Sequence, residues 1–160
     1  MSFRRIIFSL LCIASATVAY AQKADFSDNF ETRRLDSMHF SLWDDDASIV
    51  NMGTRGLTIM SRGDSPAESN AVYFTSTDPT WEAEANVVLY PTSQGGLVLM
   101  ADRADYWGIS ADYKNIYVWN SGDMVKTAKN PYGRHLHFKL VFADGELTAW
   151  IAPQKSPWTI

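Results

Sequence analysis

Glu82 and Glu84 stand two apart in Thr80-Trp-Glu-Ala-Glu-Ala-Asn-Val87, which puts both carboxylates on one face of a strand, roughly 6.5–7 Å apart at the strand rise. Glycoside hydrolysis uses two carboxylates roughly 5–5.5 Å apart for retention or roughly 6.5–9.5 Å apart for inversion. The pair is therefore a candidate acid and base. The competing reading is a solvated strand face, and the Glu-x-Asp-x-x-Glu signature of the sandwich glucanases is missing. Asp44, Asp45 and Asp46 offer oxygens to a hard cation, but calcium takes six to eight of them. Alone the triplet reads as a turn bearing solvated acids. His135 and His137 could begin a zinc site if a third ligand joined them, and they read equally as cross-strand packing residues. Ser61 to Pro66 spells Ser-Arg-Gly-Asp-Ser-Pro, an adhesion-like string, yet its last four residues are also what a loop between strands requires.

Aromatics are the more informative group, at 13% of the chain. Sugar rings present CH faces that stack on indole and phenol, while their hydroxyls seek carboxylates and amides. Tyr106 and Trp107 follow a turn, and Tyr117 and Trp119 share one face of the next strand. Beside Arg103, Asp105 or Asp112, either set would make a glycan platform. Against this, aromatics in strands are commonly core or cross-strand partners.

The elements that must position these residues are strands. No stretch of ten residues shows apolar spacing of three and four, whereas alternation at two recurs throughout. Strands are expected near 25–30, 38–43, 47–52, 56–61, 70–75, 80–90, 95–102, 105–111, 115–120, 123–127, 135–143 and 146–152. Turn signals separate them: Gly53 to Gly56, Gly63 to Pro66, Asp78-Pro79, Asp102 to Asp105, Asp112 to Asn115, Asn120 to Gly122, and Asp144-Gly145. The last is a type I′ hairpin signal, because both residues tolerate positive φ. From Thr80 to Tyr90, Trp81, Ala83, Ala85, Val87 and Leu89 face a core and Glu82, Glu84, Asn86 and Tyr90 face water. Gly96 to Met100 and His135 to Phe142 are more uniformly apolar and are expected in the middle of the sandwich. The fold class is all-β, an antiparallel β-sandwich.

The N-terminus reads as a secretory signal peptide over residues 1–21. Arg4 and Arg5 precede an apolar run from Ile6 to Ile13, and Ala19-Tyr20-Ala21 supplies the small-residue cleavage pattern. That run is too short to span a membrane. The lone Cys12 lies inside it after Leu11, where a lipoprotein signal needs a small residue. Residues 22–160 then form one domain, exported to the periplasm or medium and stabilised by burial without disulfides. Without Arg4 and Arg5, 12 basic side chains face 18 acidic ones, a net charge of −6 with the histidines neutral. Such a surface is a poor partner for nucleic acid or anionic membrane. Phosphate loops, dinucleotide fingerprints and nucleophile triads are not visible, so no cofactor is expected.

Several stretches carry a resemblance: FSDNFE (26–31), LDSMHFSLWDDDAS (35–48), GLTIMSRGDSPAES (56–69), TWEAEANV (80–87), GGLVLMADRADYWGIS (95–110) and AWIAPQKSPWT (149–159). Their order resembles the C-terminal concanavalin A-like domain of family 43 β-xylosidases and their relatives. In that family the terminal stretch holds a Tyr-Ser-x-Asp-Gly-x-x-Trp pattern, with Trp158 at the tryptophan. The resemblance implies a jelly-roll accessory domain to a catalytic propeller that this chain lacks, together with the strands that follow the tryptophan. The expected function is a non-catalytic, xylan-associated accessory domain whose partners are polysaccharide and a glycosidase catalytic domain. The alternatives are a single-domain glycosidase using Glu82 and Glu84, and a truncated or partner-docking module.

Overall fold

The computed structural model describes Phe30 and residues 35–43, 50–53, 56–59 and 71–154. The signal peptide expected at 1–21, most of the strand expected at 25–30, the Asp44 to Asp46 triplet, the Ser61 to Pro66 string and Trp158 lie outside the described residues.

Eleven strands are described: β1 (Ser41–Trp43), β2 (Val50–Gly53), β3 (Gly56–Ile59), β4 (Ala71–Tyr73), β5 (Trp81–Val88), β6 (Gly95–Met100), β7 (Tyr106–Ala111), β8 (Asn115–Asn120), β9 (Asp123–Lys129), β10 (His135–Ala143) and β11 (Glu146–Pro153). Among the described residues there is no α-helix, and every paired strand is antiparallel. Two larger sheets form an antiparallel β-sandwich. One has the order β11-β10-β5 and the other is the meander β6-β7-β8-β9. The chain leaves the first sheet after β5, runs through the whole meander, and returns with β10 hydrogen-bonded beside β5. The short strands β1 and β4 pair with each other, as do β2 and β3. Phe40, next to β1, packs against Phe30 and Phe74 with ring centroids 5.2 and 6.5 Å away.

Alternation explains where the core sits. On β10, Leu136, Phe138 and Leu140 point inward and are fully buried, while His135, His137 and Lys139 point outward. Each buried side chain of this size contributes on the order of 1.5–3 kcal/mol. Leu89, Ile109 and Ala111 complete the cluster, with Trp81, Val87, Leu97, Ile116, Leu147, Ala149 and Ile151 packed around it. β5 alternates as expected along its whole length.

Of the two more uniformly apolar segments, β10 is the central strand of its sheet and β6 an edge strand of the other. β6 is apolar because β5 and β10 of the facing sheet pack against it and leave Leu97 through Met100 half-buried. The Asp144-Gly145 hairpin forms with φ of 53° and 79°. Ser121 and Gly122 turn β8 into β9 in the same way, at 52° and 82°. A Cβ on Gly122 would also strike the Ala104 carbonyl oxygen, so this corner needs glycine twice over.

Candidate functional site

The core side of the meander is set by Ile109 and Ala111 on β7 and by Ile116 on β8. Period-two alternation then sends Tyr106, Gly108 and Ser110 of β7, and Asn115, Tyr117 and Trp119 of β8, to the opposite, outer face. Trp119 is the register partner of Gly108, so its indole has a bare strand to lie over. Its Nε1 donates to Ser110 Oγ at 2.7 Å, and Gln94 Nε2 donates to the same oxygen at 2.6 Å. Tyr106 and Tyr117 flank the indole, with centroids 5.7 and 6.4 Å away. The result is a second buried layer outside the core, in which Tyr106 is 2%, Ser110 4% and Trp119 8% exposed.

A β-bulge completes the arrangement. Val118 pairs with Lys126 but Trp119 pairs with Met124, so Val125 is an extra residue on β9. The bulge brings Met124 opposite Trp119, the kind of re-aiming that bulges provide. Tyr117, Trp119 and Met124 thereby line a cleft of about 430 Å³. One wall is the β5–β6 loop, Pro91 to Gln94, and the other is the β7–β8 turn, Asp112 to Lys114. The volume falls within the usual range of roughly 300–1,000 Å³ for small-molecule sites.

Asp112 braces the second wall. Its Oδ1 accepts the backbone N–H of Lys114 at 2.6 Å and of Asn115 at 2.5 Å, and its Oδ2 accepts the Tyr117 hydroxyl at 2.7 Å. Burial pushes the Asp112 carboxyl up, but these bonds together outweigh it and hold its pKa below the ordinary 3.8. The carboxylate is therefore ionised in the cleft at neutral pH. Tyr113, at the lip, is 52% exposed.

Of the five residues read from sequence as glycan contacts, Tyr117 and Trp119 line the cleft. Tyr106 is buried behind Trp119 and has no ring face open to a ligand. Trp107 has the parity of Ile109, so it points to the core side and is half-buried there. Arg103 is exposed in the β6–β7 loop, at the end of the sandwich away from Asp112. Asp105 shares that end, where it accepts the Ser121 hydroxyl at 2.7 Å. Tyr113, Lys114, Gln94 and Met124 were missed as cleft residues. The signal for Tyr113 was its place inside a recognised turn, where an aromatic has no core to join.

Glu82 and Glu84 stand on the outer face of the other sheet, with Lys139 Nζ 2.5 Å from Glu82 Oε1 and 3.0 Å from Glu84 Oε1. The hydrogen bond from Lys139 holds the Glu84 carboxyl below its ordinary 4.5, and the two carboxylates raise Lys139. A glycosidase acid needs the opposite shift, toward a raised pKa. His137 Nδ1 lies 2.9 Å from Asn86 Oδ1 and its Nε2 3.4 Å from Glu84 Oε2, while His135 is exposed. Among the described residues, no three His, Cys, Asp or Glu side chains gather into a metal site.

The fold and cleft define a β-sandwich with a ligand-sized groove outside its core. No protein-family model matches the chain, and neither curated proteins nor solved structures give a significant match.

Proposed function

We propose that this protein is an exported, non-catalytic carbohydrate-binding β-sandwich that holds a xylan-type glycan in the cleft over β8. One observation carries the reading: outside the core, the chain builds a groove whose floor is Tyr117, Trp119 and Met124 and whose walls carry Asp112, Lys114, Gln94 and Ser93. Apolar rings with a few convergent polar groups are the general form of a small-molecule site, and they match a sugar's CH faces and hydroxyls. The stretches resembling the family 43 accessory domain, with its jelly-roll topology and role beside a catalytic domain, support the same reading. So does the signal-peptide pattern at residues 1–21.

Hydrolysis by Glu82 and Glu84 is disfavoured by Lys139, which lies against both carboxylates and keeps Glu84 ionised. The test is a titration of the purified protein with xylo- and arabino-oligosaccharides, followed by tryptophan fluorescence and calorimetry. Saturable binding that Tyr117→Ala weakens is expected. A folded protein that shows no response at millimolar sugar would sink the proposal.

A further inference from the structure

At the end of the sandwich where the cleft opens, three loops meet: β5–β6 (residues 89–94), β7–β8 (112–114) and β9–β10 (130–134). They are bonded to one another. Leu89 N–H donates to the Arg134 carbonyl at 2.9 Å, and Asn130 N–H to the Lys114 carbonyl at 2.7 Å. Asn130 Nδ2 donates to the carbonyls of Asp112 and Gly133, both at 2.9 Å, and its Oδ1 accepts the Tyr132 N–H at 2.9 Å. The loops therefore form a fixed surface. Each carries an exposed tyrosine: Tyr90 at 63%, Tyr113 at 52% and Tyr132 at 40% exposure.

Because stacked sheets lie roughly 10 Å apart, tyrosines from both sheets straddle the sandwich end. Tyrosines on rigid loops supply contact area at little entropic cost. The same surface holds cations. Lys139 on the outer sheet face is neutralised by two glutamates, whereas the side chains of Lys114 and Arg134 have no carboxylate partner among the described residues. In an acidic protein, two unneutralised cations beside three exposed tyrosines complement an anionic, ring-bearing chain.

We infer that the ligand of the cleft is an extended oligosaccharide bearing uronic-acid carboxylates, which runs from β8 across Tyr113 to Tyr90 and Tyr132 and meets Lys114 and Arg134. This rests on the cleft being a glycan site. The experiment is calorimetry on the full chain with xylobiose, xylohexaose and a hexamer of the same backbone carrying a uronic-acid branch. The hexamer should bind about tenfold tighter than the dimer, and the acidic hexamer about tenfold tighter again. That second gain should shrink as salt is raised from about 0.05 to 0.5 M.

Tyr90→Ala with Tyr132→Ala should remove the length dependence, and Lys114→Gln with Arg134→Gln the charge preference. All four changes are at exposed positions, and a thermal melt checks that each variant folds. Dimer and hexamers binding alike, or neutral and acidic hexamers binding alike, would overturn the inference while leaving the cleft a sugar site. Short polyphosphate competing as well as the acidic hexamer would also overturn it, by revealing a general anion surface. If no sugar binds at all, the parent proposal fails and this one with it.

Discussion

On the outer face of the three-stranded sheet, Lys139 lies between Glu82 and Glu84 while His137 bridges Glu84 and Asn86. On the outer face of the meander, Tyr106, Ser110 and Trp119 are withdrawn from water, and Trp119 is hydrogen-bonded to Ser110. The first face satisfies its charges internally and stays wet, which is the ordinary state of a sheet with one solvated side. The second buries large apolar rings on the side of the sheet turned away from the hydrophobic core. Groups committed in that way hold a shape, and the shape they hold is the cleft. Polar residues at suggestive spacing are thus a weaker guide to a site than aromatic residues buried on the wrong side of a sheet.

The comparison breaks first at Trp119. Trp119→Ala should cost about 3–5 kcal/mol, as a truncation of a buried aromatic in a core would, although Trp119 faces away from the hydrophobic core. Urea unfolding followed by circular dichroism measures it. A loss under about 0.5 kcal/mol, the usual range for a surface substitution, would mean that the outer layer is no second packed layer.

Asp112 comes next. Asp112→Ala strips the acceptor from two backbone N–H groups and the Tyr117 hydroxyl, and should cost about 1–3 kcal/mol. The folded pKa lies below the unfolded value near 3.8. The group therefore adds stability above 3.8, and that stability is lost as pH falls from the unfolded value through the folded one. The wild type should lose stability in that window, and Asp112→Ala should lose less. Equal slopes of stability against pH would show that Asp112 is not the brace.

At the lip, Tyr113→Ala should leave stability within about 0.5 kcal/mol and weaken glycan binding by about 1–2 kcal/mol. Calorimetry on wild type and variant separates the two quantities. Unchanged affinity would move the ligand off the β7–β8 wall.

Much of the fold was legible because period-two alternation and turn chemistry are local. Trp81 to Leu89 announces a half-buried strand, and Asp144-Gly145 announces the hairpin between β10 and β11, before any tertiary contact is known. The site was harder to read. Tyr106 and Trp107 are adjacent and chemically alike, yet strand parity sends them to opposite faces, and only the positions of Ile109 and Ala111 in the core say which face is which. The Val125 bulge, which sets Met124 against Trp119, depends on pairing across two strands. It leaves no mark on either strand alone. Edge and centre cannot be told apart by apolarity either, because β6 gains apolar neighbours from the facing sheet where β10 gains them from its own core contacts.

The smallest effect is expected where the sequence looked most catalytic. Glu82→Gln with Glu84→Gln removes both partners of Lys139, and all three side chains are substantially solvated, at 50%, 45% and 30% exposure. Exposed ion pairs contribute about 0–1 kcal/mol and are screened by salt. The double variant should therefore unfold within about 1 kcal/mol of wild type, with the difference vanishing at high salt, and should bind sugar with unchanged affinity because the cleft is on the other sheet. Hydrolysis of aryl glycosides by the wild type that this variant abolishes would reverse the roles of the two faces. Lys139 would then be an electrostatic partner in catalysis, and the buried layer around Trp119 would be packing alone.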